Sequence, residues 1–513
     1  MPNETVSDDF IGVELLHRYV PLVVWVVVIF SIVIIPLKIA GYGYLPQDDA
    51  LADAAKAVSG KPWPEILVLG PSYKMDHHFG WHWLLREIYL ATRCDTDALV
   101  MIEVSAMFIV CCCAASACLK RPEAWLAAMV IFSVWSGFLQ RILIGRPLIL
   151  TIAVLMVVLF AWQRRGPPPK WQAILWMTLL ITLAAFLHGV WYLWALPVAA
   201  FFLAREFRWG FLLAASSVLA ALLSAALTGH PLESISQAAT LAFRVEGIHS
   251  TQSTLVHEMR PANADFIAVL LLGGLVVLRQ LAKLEARPLS RNPAFWLAVL
   301  GWILGCQTWR FWEDWGLPAL AVLVVCDLQL FFETRFAADS FKRLGLVCGL
   351  ALTAYVAATN DVNSRWTNVS TAQYLTPDNP DLDGWLPDRG GVIYSADMTI
   401  FYQTFFKNPR ADWRYVLGFE PAYMTDGDFK VYANFQTSDG DPKTLQPWMD
   451  KMRPEDRFVT RAPRSAPPDI PQLEWNYGVS GIWIGRLPRS DTNGAPATIP
   501  ATAVRTNTAS LAQ

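Results

Sequence analysis

The chain has 513 residues, of which 54% are hydrophobic and 16% are charged, and its formal net charge at pH 7 is -2. A soluble globular protein usually has about a quarter of its residues charged, so this composition excludes an ordinary soluble protein and indicates a polytopic membrane protein. The basic residues fall in small groups between apolar runs, and this pattern excludes nucleic acid as a partner.

Apolar runs bounded by charged residues predict the membrane spans. The first run, residues 21–40, is long enough to cross the roughly 30 Å hydrocarbon layer, which needs about 20 helical residues. It is too long for the apolar region of a signal peptide, so we expect it to remain as an anchor. The sequence thus predicts an α-helical polytopic membrane protein with about eleven transmembrane helices, near residues 21–40, 98–118, 123–140, 147–163, 171–187, 189–204, 210–228, 264–280, 294–308, 316–333 and 344–359.

The basic loops predict the orientation of these spans. With eleven spans, the loops that carry most Lys and Arg fall on one side, which the positive-inside rule places in the cytoplasm together with the N-terminus. The opposite side then receives the first loop, residues 41–97, and everything after residue 360. The basic residues on the cytoplasmic side are Lys120, Arg121, Arg164, Arg165, Lys170, Arg205, Arg208, Arg279, Lys283, Arg287, Arg291, Arg335, Lys342 and Arg343.

The composition changes after the last predicted span. Residues 360–487 are rich in Asp, Pro, Tyr and Trp and contain no further membrane run, which predicts a small extracytoplasmic α/β domain after a membrane domain at 1–359. In it, GGVIYSAD and WRYVLGF resemble strands, MTIFYQTFFKN a helix between them, and EWNYGVSGIWIGRL a closing hairpin. Residues 488–513 are small and polar, so we expect a disordered tail.

Asp48 and Asp49 stand just beyond the first span, in GYGYLPQDDALADAAKA. Pro46 and Gln47 close a turn, and the residues after the acids indicate a short helix along the membrane surface. Two carboxylates at a helix start could simply cap it and interact favourably with its dipole, by about 0.3–1 kcal/mol each. Alternatively, one of them is a general base or a metal ligand at headgroup level, where it could take the proton from an attacking hydroxyl.

A second cluster, Asp76, His77, His78 and His82, follows in the same loop, within MDHHFGWHWLLREIYLATR. His78 and His82 are four residues apart and would share one face of a helix, with Asp76 about one turn earlier. Together with carboxylates they could hold a divalent cation such as Mg²⁺ or Mn²⁺, or bind an acceptor or a phosphate. The alternative is an interfacial belt, in which His and the neighbouring aromatic residues lie at headgroup level regardless of function.

Arginines on the predicted outer side are candidates for binding a phosphate, because a guanidinium offers a planar set of donors that stays charged. Their alternative role is to reach the interface with a long side chain, and Arg310 could also pair with Glu313 or Asp314. His188, in FLHGVWYLW, could be a core histidine or a ligand. The arginine candidates are Arg141 and Arg146 in QRILIGRP, Arg310 in TWRFWEDWG, and Arg244 and Arg260 before the eighth predicted span.

This arrangement resembles the GT-C superfamily of integral membrane glycosyltransferases. An early helix is followed by an outer loop that opens with an Asp-Asp pair, then a ladder of spans and an outer soluble domain. The resemblance covers most of the chain in architecture but depends on few residues: YLPQDD at 44–49, DHHFGWHWLL at 76–85, GRPLIL at 145–150, HGVWYL at 188–193 and RFWEDWGLPAL at 310–320.

The resemblance implies an enzyme of the bacterial inner membrane. It would transfer a sugar from a polyprenyl-phosphate-linked donor to a lipid, polysaccharide or cell-wall glycan acceptor on the periplasmic face. Asp49 would deprotonate the acceptor hydroxyl, and Asp48 with His77 or His78 would orient that acceptor or hold a metal. Arg310 and Arg146 would stabilise the phosphate leaving group.

Other functions remain open at this point. An O-antigen ligase or polymerase would use arginines and histidines of a later loop, for which Arg244, His249, His257 and Arg260 are available. A flippase or transporter would need midplane charges and repeated, broken helices. A non-catalytic scaffold of envelope polysaccharide synthesis would need none of these residues.

Overall fold

The computed structural model describes residues 8–134, 136–165, 171–244, 261, 266–367, 373–479 and 481–488. Two predicted features lie outside these residues: the later loop with His249, His257 and Arg260, and the tail from residue 489 onward. The side chain of Arg244 is likewise not described. Within the described residues the chain is mostly helical, with a small sheet near its C-terminus.

Helices dominate the first 359 residues because apolar side chains run through whole segments that contain few Gly or Pro. The helices before residue 190 are α1 (Asp8–Gly41), α2 (Asp49–Ser59), α3 (Trp63–Ile66), α4 (Phe79–Thr92), α5 (Thr96–Ala117), α6 (Glu123–Val134), α7 (Ser136–Arg141), α8 (Leu148–Arg165) and α9 (Trp171–His188). Those that follow are α10 (Ala195–Leu203), α11 (Phe207–Leu227), α12 (Pro231–Arg244), α13 (Phe266–Leu281), α14 (Pro293–Gly305), α15 (Trp309–Phe311), α16 (Leu317–Arg335) and α17 (Phe341–Thr359).

The structure supports fewer spans than the sequence predicts. Each of the predicted apolar runs contains helix, but only 5 helical segments of the described residues are long and apolar enough to cross a membrane: Arg18–Gly41, Thr96–Ala117, Phe207–Leu227, Trp309–Arg335 and Phe341–Thr359. Six further apolar helical segments of the described residues have 10–17 residues. They are shorter than the about 20 helical residues that usually cross the hydrocarbon layer. Membrane character is therefore supported, whereas the prediction of eleven spans is not confirmed.

The long helices give the bundle two distinct ends. The helix α1 packs against α5 and α17, and α5 packs against α8. The last residue of α1 and the first of α5 flank the first loop, and α17 also ends there before the chain enters the C-terminal region. We call this the loop end of the bundle. Polar groups meet at this end, whereas the faces between the helices are filled by apolar side chains.

The first loop folds into three short helices, of which α2 is the most buried. The short helix predicted after the two acids is confirmed, and its position along the membrane surface stays a prediction. Apart from Lys56, the residues from Ala50 to Val58 are buried, because α4, α5 and α18 (Met398–Lys407) all pack on α2. The first turn of α2 therefore faces the interior of the loop end.

The C-terminal region contains the predicted α/β layer. Its strands are β1 (Val392–Tyr394), β2 (Arg414–Tyr415), β3 (Arg457–Arg461), β4 (Glu474–Tyr477) and β5 (Ile482–Arg486), with α18, α19 (Asp426–Thr437) and α20 (Gln446–Met449) beside them. Their order is β2-β1-β3-β5-β4. The pairs of β1 with β2 and β3 are parallel, and β5 runs antiparallel to β3 and β4. The predicted strands, helix and closing hairpin are thus confirmed.

The first loop and this sheet share one core. Leu67 forms a parallel bridge with Tyr415 at the edge of the sheet, and the Val68 N–H donates a hydrogen bond of 2.9 Å to the Tyr415 carbonyl. Phe401 and Phe405 of α18 pack near Trp63 of the loop. The helix α18 is therefore held against α2, and its side chains reach the loop end of the bundle.

Candidate active site

Asp48 and Asp49 are held by partners from two distant parts of the chain. Arg146 Nη2 donates a hydrogen bond of 2.9 Å to Asp48 Oδ2, and Arg146 Nε lies 3.2 Å from Asp49 Oδ2. The Tyr402 hydroxyl donates to Asp49 Oδ1 at 2.7 Å. Asp48 occupies the N-cap position of α2 but accepts no capping hydrogen bond with its side chain. The capping role considered from the sequence is therefore not seen, and the pair faces Arg146 instead.

The acids remain in contact with solvent. The side chains of Asp48 and Asp49 are 28% and 24% exposed, whereas that of Arg146 is 13% exposed. Gly145, which precedes Arg146, adopts a left-handed backbone with φ of 74°. A Cβ there would crowd Val104, Ala50 and Glu103. The site thus presents a carboxylate that is fixed in place but accessible.

His82 lies between two carboxylates. Its Nε2 is 2.7 Å from Asp53 Oδ1, and its Nδ1 is 2.5 Å from Asp76 Oδ2. Burial opposes the charge on the imidazole, but the two carboxylates outweigh that effect and raise the pKa of His82 to about 9. Burial also opposes the charge on Asp76, yet His82 outweighs it and lowers the pKa of this carboxyl to about 2. Burial raises the pKa of Asp53.

The predicted geometry of the second cluster is confirmed in part. The helix α4 begins only at Phe79, so Asp76 is not one helical turn before His78. Asp76 instead accepts the His78 backbone N–H with Oδ1 at 3.1 Å while its other oxygen binds His82. His78 and His82 do lie near each other, with ring centroids 6.1 Å apart. Trp63 covers His82, with its ring centroid 5.6 Å from the imidazole, and the interfacial belt stays an untested alternative.

Two further histidines continue the cluster away from His82. The His77 and His78 ring centroids are 3.9 Å apart, and those of His78 and His188 are 5.6 Å apart. His188 Nδ1 is 3.1 Å from the Thr151 hydroxyl. Burial, together with neighbouring charges, lowers the pKa of His77 to about 4 and that of His78 well below its ordinary value. The lowered pKa values favour the neutral imidazoles, which accept a proton poorly but keep a lone pair that can bind a cation.

Gly189 holds His77 in place and offers a direct test of the cluster. Its φ is 78°, and a Cβ there would collide with the His77 carbonyl oxygen. Gly229 has φ of 75° with open space around it. We expect Gly189→Ala to displace His77 and abolish function, whereas Gly229→Ala should cost only the left-handed backbone energy of about 1–2 kcal/mol. The measurements are the thermal unfolding temperature and the activity of both variants. Equal unfolding temperatures and equal activities of the two variants would contradict the prediction.

Three of the predicted phosphate-binding residues are already paired. Arg141 Nε donates to Asp314 Oδ1 at 2.7 Å, and Arg310 Nε donates to Asp314 Oδ2 at 3.1 Å. The Asp314 side chain is fully buried, in a π-helical turn at Trp312–Gly316. The ion pair considered for Arg310 is thus confirmed, and Arg146 binds the two acids. Arg310 nevertheless keeps 21% of its side chain exposed and contributes to the electrostatic environment of His77 and His78.

Several site residues are not identified by the sequence reasoning. Asp53 and Tyr402 contact the predicted residues directly, and Glu103 accepts the Trp81 indole N–H at 2.8 Å beside them. Asp53 carries a usable signal, because it follows Asp49 by four residues and so lies on the same helical face. Tyr402 carries no comparable signal, since it is distant in sequence and belongs to the C-terminal sheet region.

No protein-family model matches the chain, and no curated protein matches it. The resemblance to GT-C glycosyltransferases accordingly stays a prediction. The function has to be inferred from the residues and from the geometry described above.

Proposed function

We propose that the protein is a membrane glycosyltransferase that moves a sugar from a polyprenyl-phosphate donor to a hydroxyl of a lipid, polysaccharide or cell-wall glycan. The observation that carries the proposal is Asp49, a carboxylate fixed by Arg146 and Tyr402 yet 24% exposed. A general base needs this combination of fixed position and access to its substrate. The location of the acid at the loop end also supports the proposal, because a lipid-borne donor presents its phosphate at headgroup level.

In this mechanism Asp49 accepts the proton of the acceptor hydroxyl. The acceptor oxygen forms a bond to the anomeric carbon of the sugar, and the bond from that carbon to the phosphate oxygen breaks. The polyprenyl phosphate leaves with the electron pair. Asp48 shares Arg146 with Asp49, so the guanidinium fixes both carboxylates in one orientation.

Stabilisation of the leaving phosphate falls to Arg310 in this proposal. Arg141 is 5% exposed and Arg146 is engaged with the acids, which leaves Arg310 as the more accessible guanidinium. Asp314 bridges Arg141 and Arg310, so the buried arginine helps to hold the exposed one. Neutralising charge that develops on a leaving group is usually a large catalytic contribution. His188 lies near Arg310 but is only 2% exposed, so it is a less accessible candidate for the phosphate.

The distribution of charge supports a periplasmic site in a bacterial inner membrane. The helix α5 starts at the loop end and runs toward Lys120, and α16 likewise runs from Asp314 toward Arg335. Basic residues therefore gather at the end of the bundle opposite to the site. The positive-inside rule makes that opposite end cytoplasmic, so the site and the C-terminal sheet would face the periplasm.

The proposal is tested by supplying membranes with a radiolabelled pool of polyprenyl-phosphate sugars. Membranes that contain the protein should transfer label to an endogenous acceptor, and membranes without it should not. Transfer that requires Arg244, His249, His257 or Arg260 but not Asp49 would favour the hypothesis of an O-antigen ligase or polymerase. Absence of any transfer would favour the hypothesis of a transporter or a non-catalytic scaffold.

Tyr402 provides a prediction on the contribution of the C-terminal sheet region. Removing a hydrogen bond to a charged group costs about 1.5–3 kcal/mol, so Tyr402→Phe should lower kcat by about 10- to 100-fold. We expect KM to change little, because the hydroxyl binds Asp49 rather than the substrate. Steady-state kinetics check this.

The matched control is Tyr415→Phe, which removes a hydroxyl that only accepts from Trp413 at 3.1 Å in the residues described. This variant should retain normal kcat. A Tyr402→Phe enzyme with unchanged kcat, or an equal loss in the control, would contradict the positioning role.

A further inference from the structure

Asp53, His78 and His82 bring three ligand atoms to one point. Each residue offers one donor, and these donors lie within 4.8 Å of one another. His78 and His82 come from the N-terminal end of α4, while Asp53 comes from the facing helix α2. Two imidazoles and one carboxylate form a recurrent donor set of zinc enzymes, which leaves a coordination position open.

The orientation of His82 suits a metal ligand. Histidines that bind metals almost always donate their other ring N–H to a carboxylate or carbonyl, which fixes the tautomer. Asp76 occupies that position, since its Oδ2 is 2.5 Å from His82 Nδ1. Asp76 also accepts the His78 backbone N–H, so one carboxylate orients both imidazole-bearing residues. His82 Nε2 faces Asp53 Oδ1 at 2.7 Å, and a zinc ion would displace the proton held between them.

Asp53 supplies an independent indication of a ligand. Its residue is 3% exposed, and its Oδ2 has no hydrogen-bond partner among the described residues. A buried carboxylate oxygen without a partner costs free energy comparable to a lost hydrogen bond, and more when charged. Lys56, one turn further along α2, donates instead to the Lys61 carbonyl. A cation beside Asp53 Oδ2 would satisfy this atom.

We propose that Asp53, His78 and His82 bind a zinc ion, oriented by Asp76. Imidazole ligands suit zinc and similar transition metals, whereas Mg²⁺ prefers sites made of oxygen ligands. The bound ion joins α2 to α4 and so fixes the first turn of α2, which carries Asp49. The inference goes beyond sugar transfer, because the site binds zinc whatever reaction the protein catalyses.

The experiment measures metal in the full-length protein purified in detergent. After removal of metals with EDTA, the protein is titrated with Zn²⁺, and with Mg²⁺ in a parallel sample. We expect about one zinc ion per chain from elemental analysis and calorimetry, with no comparable binding of Mg²⁺. A protein that takes up no zinc, or binds Mg²⁺ as tightly, would overturn the proposal.

Variants then identify the ligands. His78→Ala and Asp53→Asn should lose zinc, and Asp76→Asn should weaken it by about 10- to 100-fold. His230→Ala is the control, because this histidine is exposed and lies outside the cluster, and the variant should bind zinc normally. Retention of zinc by both His78→Ala and Asp53→Asn would overturn the assignment.

A measurement on the wild-type protein tests the ligand set even when the variants fail to fold. X-ray absorption of the bound zinc should show two imidazole ligands together with oxygen ligands. A shell of oxygen or sulfur alone would overturn the proposal. None of these readouts depends on transfer activity, so a failed glycosyltransferase assay leaves the result on zinc intact and the reverse also holds.

Discussion

Asp49→Asn should lower sugar transfer by about 100- to 10,000-fold, the range typical for loss of a general base. The amide has nearly the same shape as the carboxylate and can still accept the Tyr402 hydrogen bond, so the protein should fold and accumulate normally. It cannot accept the proton of the acceptor hydroxyl. The measurement is transfer of label in membranes, normalised to the amount of protein.

Two other substitutions make this result specific. Asp48→Asn should cause a smaller loss, because Asp48 helps to hold Arg146 but does not contact Tyr402. Asp95 is a matched control in the same loop, since its side chain caps α5 by accepting the Ala98 N–H. Asp95→Asn should leave transfer unchanged. Normal transfer by Asp49→Asn would show that Asp49 is not the general base. An equal loss of transfer in Asp95→Asn would show that the effect of Asp49→Asn comes from lowered stability of the protein.

Asp314→Asn should have the largest effect on stability among the substitutions considered. Asp314 is fully buried and is bound by Arg141 and Arg310. Removing one partner of a buried ion pair leaves an uncompensated charge and costs about 3–5 kcal/mol. Arg141, 5% exposed, would lose its ion pair of 2.5 Å with Asp314, while Glu313 lies farther away at 3.6 Å. Unfolding in detergent, followed by tryptophan fluorescence, measures the loss.

Glu313→Gln serves as the control for this substitution. Its side chain is 19% exposed and lies farther from Arg141, so its loss should cost less than about 1 kcal/mol. A double substitution, Arg141→Met with Asp314→Leu, should recover part of the stability lost in Asp314→Asn, because it removes both buried charges. An Asp314→Asn protein as stable as the control would show that Arg141 does not depend on this carboxylate.

The sequence predicts the elements of this fold better than their relation to the membrane. Apolar runs locate the helices because a segment such as Phe207–Leu227 is apolar on all faces. The number of membrane-spanning helices cannot be predicted in the same way, because it depends on where each helix ends. The helix α14, for example, has only 13 residues. The alternation in EWNYGVSGIWIGRL likewise predicts β4 and β5, because a hairpin is local in sequence.

The candidate site is predictable only where its contacts are local. The sequence groups Asp76, His78 and His82 into one cluster because they lie within seven residues of the chain. The partner of a buried arginine is a different problem, since Arg141 and Asp314 are 173 residues apart and Arg146 and Asp48 are 98 apart. Charge alone cannot choose between Asp314, Glu313 and the first-loop acids. That choice depends on packing of α7 and α8 against the π-helical turn.

The hydrogen bond between Asp49 and Tyr402 has a consequence for biogenesis. Its two residues are 353 positions apart, so one is made early and the other near the end of translation. Until α18 has been synthesised and has docked on α2, Asp49 lacks one of its two supports. A chain truncated before α18 would lack the Tyr402 hydrogen bond to Asp49. Under the proposed function, full activity would therefore require synthesis of the C-terminal region.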